Sequence, residues 1–370
     1  MTDVQLEIQL VAAVVAAACA LPGVFLVLRQ MAMMSDAVSH AILPGIVVAF
    51  FLVQDLSSPL LILGAALTGV LTVALVELLH RTRLVKEDAA IGLVFPALFS
   101  IGVILIARYA GDIHLDTDAV LLGELAFVPF DRLVLGPFDL GPRALYLMGG
   151  VGLLNGLFIL VFYKELKLAT FDSGLAAALG FAPALLHYAL MGLVSVTAVA
   201  AFDAVGSILV VALMVGPPAA AHLLTDRLAR MIGWSVLIGV GSAVGGYWLA
   251  HAFDASIAGS MATMVGVCFG GAFLFAPQRG VVAVLRRQAR QRWTFAQKML
   301  TIHLLHHEGL PEAEHENHID HLHEHLRWKA DVVDRVVRQA MQNKLVARSE
   351  GQVVLTEAGR RLAREAIVQA

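Results

Sequence analysis

Long apolar runs separated by short polar stretches dominate the first three quarters of the chain. Runs near 8–28, 35–53, 59–80, 90–110, 143–163, 183–201, 205–225, 231–251 and 260–277 each approach the roughly 20 residues a helix needs to cross about 30 Å of hydrocarbon. This pattern predicts an all-α polytopic membrane protein of eight or nine transmembrane helices. The count stays open because one run can lie flat or re-enter, and hydropathy does not separate these cases where Pro and Gly interrupt a run. Pro22-Gly23, Pro44-Gly45, Pro96 and the "GPP" at 216–218 all fall within predicted spans. Breaks at membrane depth persist where the backbone faces protein or a water-filled path, and an ordinary kink is the alternative.

Beyond residue 278 the periodicity changes. "WTFAQKMLTIHLLHHEGL", "HENHIDHLHEHL" and "KADVVDRVVRQAMQNKLV" read as three short helices, and "ARSEGQVVLTEAGRRLAREAI" as a hairpin with a closing helix. Three parts follow: a membrane domain over 1–278, a basic hinge over 279–292, and a small cytoplasmic domain over 293–370.

Composition supports the division. The chain is 59% hydrophobic, with a mean hydropathy of +0.79, too apolar for an ordinary soluble protein of this length. A net charge of −3 conceals an asymmetry: residues 1–278 carry 11 Lys/Arg against 18 Asp/Glu, the remainder 15 against 11 with 8 of the 14 histidines. Arg29, Arg81, Arg83, Lys86, Lys164, Lys167, Arg227 and Arg230 fall in alternate loops, as does the basic stretch from Arg279. Those loops are expected on the cytoplasmic side, which puts the N-terminus outside and the C-terminus inside. The opposite loops are acidic, with Arg108, Arg132 and Arg143 as exceptions. Asp3 and Glu7 stand where a signal peptide would be basic, so the first run is expected to remain as a span. Cys19 and Cys268 lie inside apolar runs and indicate neither a disulfide nor a thiolate site.

Against this background "SDAVSHAILPG" (35–45) places a carboxylate and an imidazole four residues apart. On a helix Asp36 and His40 share a face and offer a half-site to Mn²⁺, Zn²⁺ or Fe²⁺. Met31, Met33 and Met34 leave a softer site open; the structural alternatives are that Asp36 and His40 simply hydrogen-bond to each other, or that Ser35-Asp36 serves as a helix N-cap. Glu77, His187, Asp203, His222 and His251 are further ionisable groups in or near spans. Asp112, His114, Asp116 and Asp118, with Glu124, concentrate acid in one outer loop, either as a cation-gathering mouth or as ordinary loop acidity. No G-x-x-x-x-G-K-[ST] occurs, so the chain holds no P-loop for ATP, and no H-E-x-x-H supports an intramembrane metalloenzyme.

These residues resemble a known family, the ABC-3 permease subunits of bacterial ABC importers for zinc, manganese or iron. The likeness is carried by "LVLRQMAMMSDAVSHAILPGI" (26–46), "KEDAAIGLVFPALFSIGVIL" (86–105), "LLGEL" (121–125), "YKELKLATFDSGLAAALGF" (163–181) and "VGSILVVALMVGPPAAAHLL" (205–224). The resemblance implies that Asp36 and His40 contact the transported ion, Mn²⁺ or Zn²⁺, and that no cofactor is permanently bound. It implies that Phe171, Asp172, Leu175, Ala178, Leu179 and Gly180 belong to a short coupling helix that docks on a separate ATPase. The further partners implied are an extracellular or periplasmic metal-binding protein, a second permease copy and the lipid of a bacterial plasma membrane. Ile257 and Asp203 depart from the family pattern. A proton-coupled carrier, which needs no ATPase, is the rival reading.

The tail resembles the winged helix of iron- and manganese-dependent repressors. Its charge speaks against a nucleic-acid partner: residues 293–370 hold 10 Lys/Arg and 11 Asp/Glu, with Asp331 and Asp334 opening the third helix. A regulatory or docking module is therefore expected over a membrane-tethered DNA reader. His315, His318, His321 and His325 recur at a spacing that lines one helical face, compatible with regulatory metal capture or with a solvated His-rich face.

Overall fold

The computed structural model describes residues 3–54, 58–109, 125–135, 138–310, 316–319, 321–349 and 351–368. The chain forms two compact units, Met1–Gly280 and Val281–Ala370. In the first unit the helices are α1 (Asp3–Leu28), α2 (Ala32–Ala41), α3 (Leu43–Val53), α4 (Pro59–Arg81), α5 (Glu87–Tyr109), α6 (Arg143–Val161), α7 (Tyr163–Phe171), α8 (Ser173–Ala178), α9 (Pro183–Val205), α10 (Ser207–Leu224), α11 (Leu228–Phe253) and α12 (Ile257–Phe275). An antiparallel hairpin, β1 (Arg132–Leu135) with β2 (Phe138–Pro142), precedes α6. Counting α2 and α3 as one segment, nine stretches among the described residues are long and apolar enough to cross a membrane, at the positions the hydropathy predicts.

Helix α1 is apolar on every side and lies at the centre, packed by α6, α9, α10 and α11. Its small residues Ala12, Ala16, Ala18, Cys19 and Ala20 are buried and let the neighbouring backbones approach. Such packing matters because lipid tails are as apolar as leucine and give helices no hydrophobic reason to associate. Polar groups fasten the same core. Asn155 on α6 donates from Nδ2 to the Ala18 carbonyl at 3.1 Å and to Thr197 Oγ1 on α9 at 2.8 Å.

The prolines act unequally. Helices α1, α5 and α10 run continuously through Pro22, Pro96 and Pro217-Pro218, and only Pro44 coincides with a break, at Ile42 between α2 and α3. Pro44 lacks an N–H and sits in the first turn of α3, where none is needed. Arg132, an exception to the acidic outer loops, bonds Glu7 at 3.2 Å and Asp139 at 2.6 Å, so its charge is locally matched.

The second unit has its own core. It runs α13 (Val281–His307), α14 (Leu322–His325), α15 (Ala330–Gln342), β3 (Val346–Ser349), β4 (Gln352–Leu355) and α16 (Glu357–Val368), with β3 and β4 antiparallel. Val333, Val336, Val337 and Ala340 of α15 are buried at helical spacing against Leu300, Leu304, Val346 and Val353. Residues 281–292, expected as a hinge, are helical and continuous with the helix that follows. The second expected helix shrinks to Leu322–His325. The backbone just before it is committed elsewhere: His318 bridges Gln352, and Val353 N–H donates to the Asn317 carbonyl at 3.0 Å. The Ile319 N–H is likewise taken by the Gly351 carbonyl at 3.4 Å, and the helical pattern resumes at the His318 carbonyl, which accepts from the Leu322 N–H at 3.1 Å.

Candidate functional site

Asp36 and His40 lie in the interior of α2, a helix begun at Met31 without a side-chain cap. The N-cap reading of Ser35-Asp36 is therefore excluded. Ser35 Oγ donates to Met214 Sδ on α10 at 3.1 Å, and Ser39 Oγ to the Ser35 carbonyl at 2.9 Å, both buried. These bonds fix one side of α2. From it Asp36 and His40 project half-buried, with Oδ1 and Nε2 3.5 Å apart and the His40 ring 6.1 Å from that of Phe95 on α5. Ligands about 2.0–2.2 Å from one ion stand just over 3 Å from each other, so the pair is spaced to share a cation. Among the described residues no third His, Cys, Asp or Glu converges on it. The described residues thus offer this position two ligands.

Three residues beyond the break at Ile42, Gly45 touches α4. A Cβ there would strike the Gly64 carbonyl and the Thr68 hydroxyl. The glycine is a close-approach residue that lets α3 lie against α4 directly after the site.

A second polar cluster forms where α1 ends. Arg29 Nη1 lies 3.2 Å from His187 Nδ1 on α9, and Arg29 Nε donates to Thr170 Oγ1 on α7 at 3.2 Å. His187 Nε2 stands 3.9 Å from Glu77 Oε2 on α4, whose other oxygen accepts from Arg81 Nε at 3.0 Å. Burial lowers the Arg29 pKa from its ordinary value, though a guanidinium keeps its proton at any physiological pH. Arg29, Glu77, His80 and His187 line a cavity of about 230 Å³ together with Met31 and Met34 of the α2 entrance. Glu77 and His187 were separately visible as charges in apolar runs. Their meeting, and the roles of Arg29 and Thr170, depend on α4 and α9 packing together.

Residues 171–180 make a short exposed elbow. Asp172 caps α8, its Oδ1 accepting from the Leu175 N–H at 2.8 Å, and Gly180 turns the chain with φ +85°. Only Ala176 is buried. Phe171, Leu175 and Leu179 are exposed beside Phe181, and Ala178 is exposed with them. An apolar surface on a polar-flanked elbow is the kind of feature that a partner covers.

The other candidates separate. Asp112, His114, Asp116, Asp118, Glu124 and His315 lie outside the described residues, as does the side chain of Asp203. His222 Nε2 is 3.1 Å from Arg279 Nη1, and the His251 ring lies 5.9 Å from that of Trp248. His318 and His321 keep their rings 5.9 Å apart, but His318, His321 and His325 do not share one continuous helix among the described residues, because residues 317–319 follow the hairpin edge and the helix spans Leu322–His325. In that unit His303, His307 and Glu316 are the group drawn together. The sequence signal for it was an i,i+4 histidine pair on α13.

Comparison with known proteins decides the family. The chain matches the ABC 3 transport family over residues 1–276. It belongs to that family. The zinc transport system membrane protein TroD of Treponema pallidum (strain Nichols) is 47% identical over 97% of both chains, so the alignment extends into the Val281–Ala370 unit. The manganese transport system membrane protein MntD of Bacillus subtilis (strain 168) is 51% identical over 72% of this chain and 90% of its own. The solved structure "PsaBC from Streptococcus pneumoniae in complex with Fab" superposes with a TM-score of 0.62 at 29% identity, covering 75% of this chain and 94% of that one. As an ABC 3 family member this is a multi-pass membrane protein, and its Asp36–His40 pair lies in a span broken at Ile42.

Proposed function

We propose that the chain is the membrane permease subunit of an ATP-driven importer of a divalent transition metal, Mn²⁺ or Zn²⁺. The observation that carries this reading is the carboxylate and imidazole 3.5 Å apart on a half-buried helix inside a membrane span. An ion entering hydrocarbon must replace its lost water oxygens, and ionisable side chains within spans are costly and mark ion pathways. The names of TroD and MntD, one zinc and one manganese, support the cargo class and leave the choice between the two ions to measurement. Carboxylate with imidazole suits both, since affinity order alone does not select between them.

In this reading a second permease copy supplies the remaining ligands, because one chain brings only a pair. An ATPase docks on the 171–181 elbow through Phe171, Leu175 and Leu179, on the cytoplasmic face that the basic loops mark. An extracellular metal-binding protein delivers the ion to the opposite face. The Val281–Ala370 unit, cytoplasmic by the same rule, is a regulatory or docking module; Asp331 and Asp334 are exposed beside Arg335 and would repel a phosphate backbone.

The test is metal uptake into proteoliposomes that contain the chain with its ATPase. Asp36→Asn keeps the side chain's shape and removes its charge. It is expected to lower uptake of the carried ion at least about tenfold, the scale of one lost charge-assisted contact of about 1.4 kcal/mol or more, with the protein still monodisperse. Unchanged uptake by Asp36→Asn would remove the site.

A further inference from the structure

The Val281–Ala370 unit contains a cluster that the transport reading does not use. His303 and His307 stand four residues apart on α13, with ring centroids 4.7 Å apart. Glu316 reaches them from the segment before α14. One ligand atom from each of the three lies within 4.8 Å of the other two. His307 Nε2 bonds Glu316 Oε2 at 2.8 Å, while His303 Nε2 and His307 Nδ1 are buried with no hydrogen-bond partner among the described residues. Buried imidazole nitrogens without partners cost free energy unless something fills the gap.

We propose that His303, His307 and Glu316 form a second metal site, for Zn²⁺ or a similar borderline divalent ion, separate from the transport path. Two imidazoles and one carboxylate are a recurrent zinc ligand set with an open fourth position. That position falls to water or to His325, whose ring lies 6.1 Å from that of His303. Donors around a tetrahedral zinc stand about 3.3–3.5 Å apart. Closing the cluster onto an ion therefore needs side-chain movement on the order of 1 Å. Binding would tie the segment at Glu316 to the end of α13. It would also replace the 2.8 Å His307–Glu316 contact with bonds from both side chains to the ion.

The test uses the full chain in detergent, stripped with a chelator, with Zn²⁺ titrated against a chromophoric competitor. The His303→Gln/His307→Gln double variant is expected to lose one zinc equivalent. Glu316→Gln should weaken that equivalent at least about tenfold, since even second-sphere changes produce that much. Asp36→Asn and the exposed neighbour His306→Gln should retain it. Equal zinc stoichiometry in the double variant and the wild type would overturn the proposal, as would equal loss in His306→Gln. A measurement free of any substitution in the cluster stands beside it. Co²⁺ added to the Asp36→Asn protein should give the strong visible absorption of a four-coordinate ion, abolished by Zn²⁺; its absence also refutes the site. Uptake plays no part in either readout, so failure here and failure of the transport reading are distinguishable.

Discussion

Gly45→Ala is a single methyl placed where the structure leaves no room. The new Cβ would meet the Gly64 carbonyl oxygen and Thr68 Oγ1 well inside contact distance. From the other side, a Cβ on Gly64 would meet the Gly45 carbonyl oxygen at 2.6 Å and Ala49 Cβ at 2.8 Å. Backbone atoms of two helices cannot swing aside as a side-chain tip can, so α3 and α4 must separate by roughly 1 Å, the gap to ordinary contact near 3.5 Å. Overpacking of this kind costs about 1–3 kcal/mol. Alanine recovers about 0.5–1 kcal/mol of helix propensity, which leaves a net loss of about 1 kcal/mol at mid-range and about 2.5 kcal/mol at most. Gly92 on α5 is the matched control: nothing lies within 4 Å of its added Cβ, so Gly92→Ala keeps the gain and avoids the clash. The assay is thermal unfolding in detergent at one fixed scan rate. At roughly 2–4 °C per kcal/mol, Gly45→Ala should melt about 2–10 °C below the wild type and Gly92→Ala about 1–4 °C above it. Metal uptake should fall in Gly45→Ala alone, because α3 starts directly after the Asp36–His40 helix. Gly45→Ala melting at or above the wild type would refute the close α3–α4 approach.

Two other substitutions probe different parts of the molecule. Asp172→Ala removes the cap of α8 at a cost of about 1 kcal/mol to that short helix; stimulation of ATPase activity by the permease should drop while metal binding persists, and unaltered stimulation would argue against the elbow as the docking point. Asn155→Leu deletes two buried hydrogen bonds, but Thr197 Oγ1 still donates to the Leu193 carbonyl at 2.7 Å and so is not orphaned. The expected loss is therefore modest, about 0.5–2 kcal/mol in detergent denaturation, and a loss of several kcal/mol would mean that Asn155 does more than fasten α1 to α6 and α9.

Spans and local motifs were legible because they are properties of short windows. A run of about 20 apolar residues is a crossing helix wherever it occurs, and Asp36 and His40 share a face by helical periodicity alone. The amphipathic stripe of Val333, Val336, Val337 and Ala340 likewise announced α15 and its buried face. The histidine tract misled for a related reason. Spacings of 3, 3 and 4 describe one face only if the backbone is helical, and the hairpin edge took the hydrogen bonds of residues 317–319 first.

What the sequence by itself determined is the membrane class, the places of the apolar helices, and that Asp36 and His40 share a helix face. The tertiary structure alone decided which prolines break a helix, that Arg29 beyond the end of α1 meets Thr170, His187 and Glu77 from three other helices, and that His303 and His307 come together with Glu316, with His325 beside His303. The physical reason is range: periodicity and hydrophobicity act between residues within a few turns, whereas those meetings are set by backbone pairing and helix packing between segments far apart in the chain.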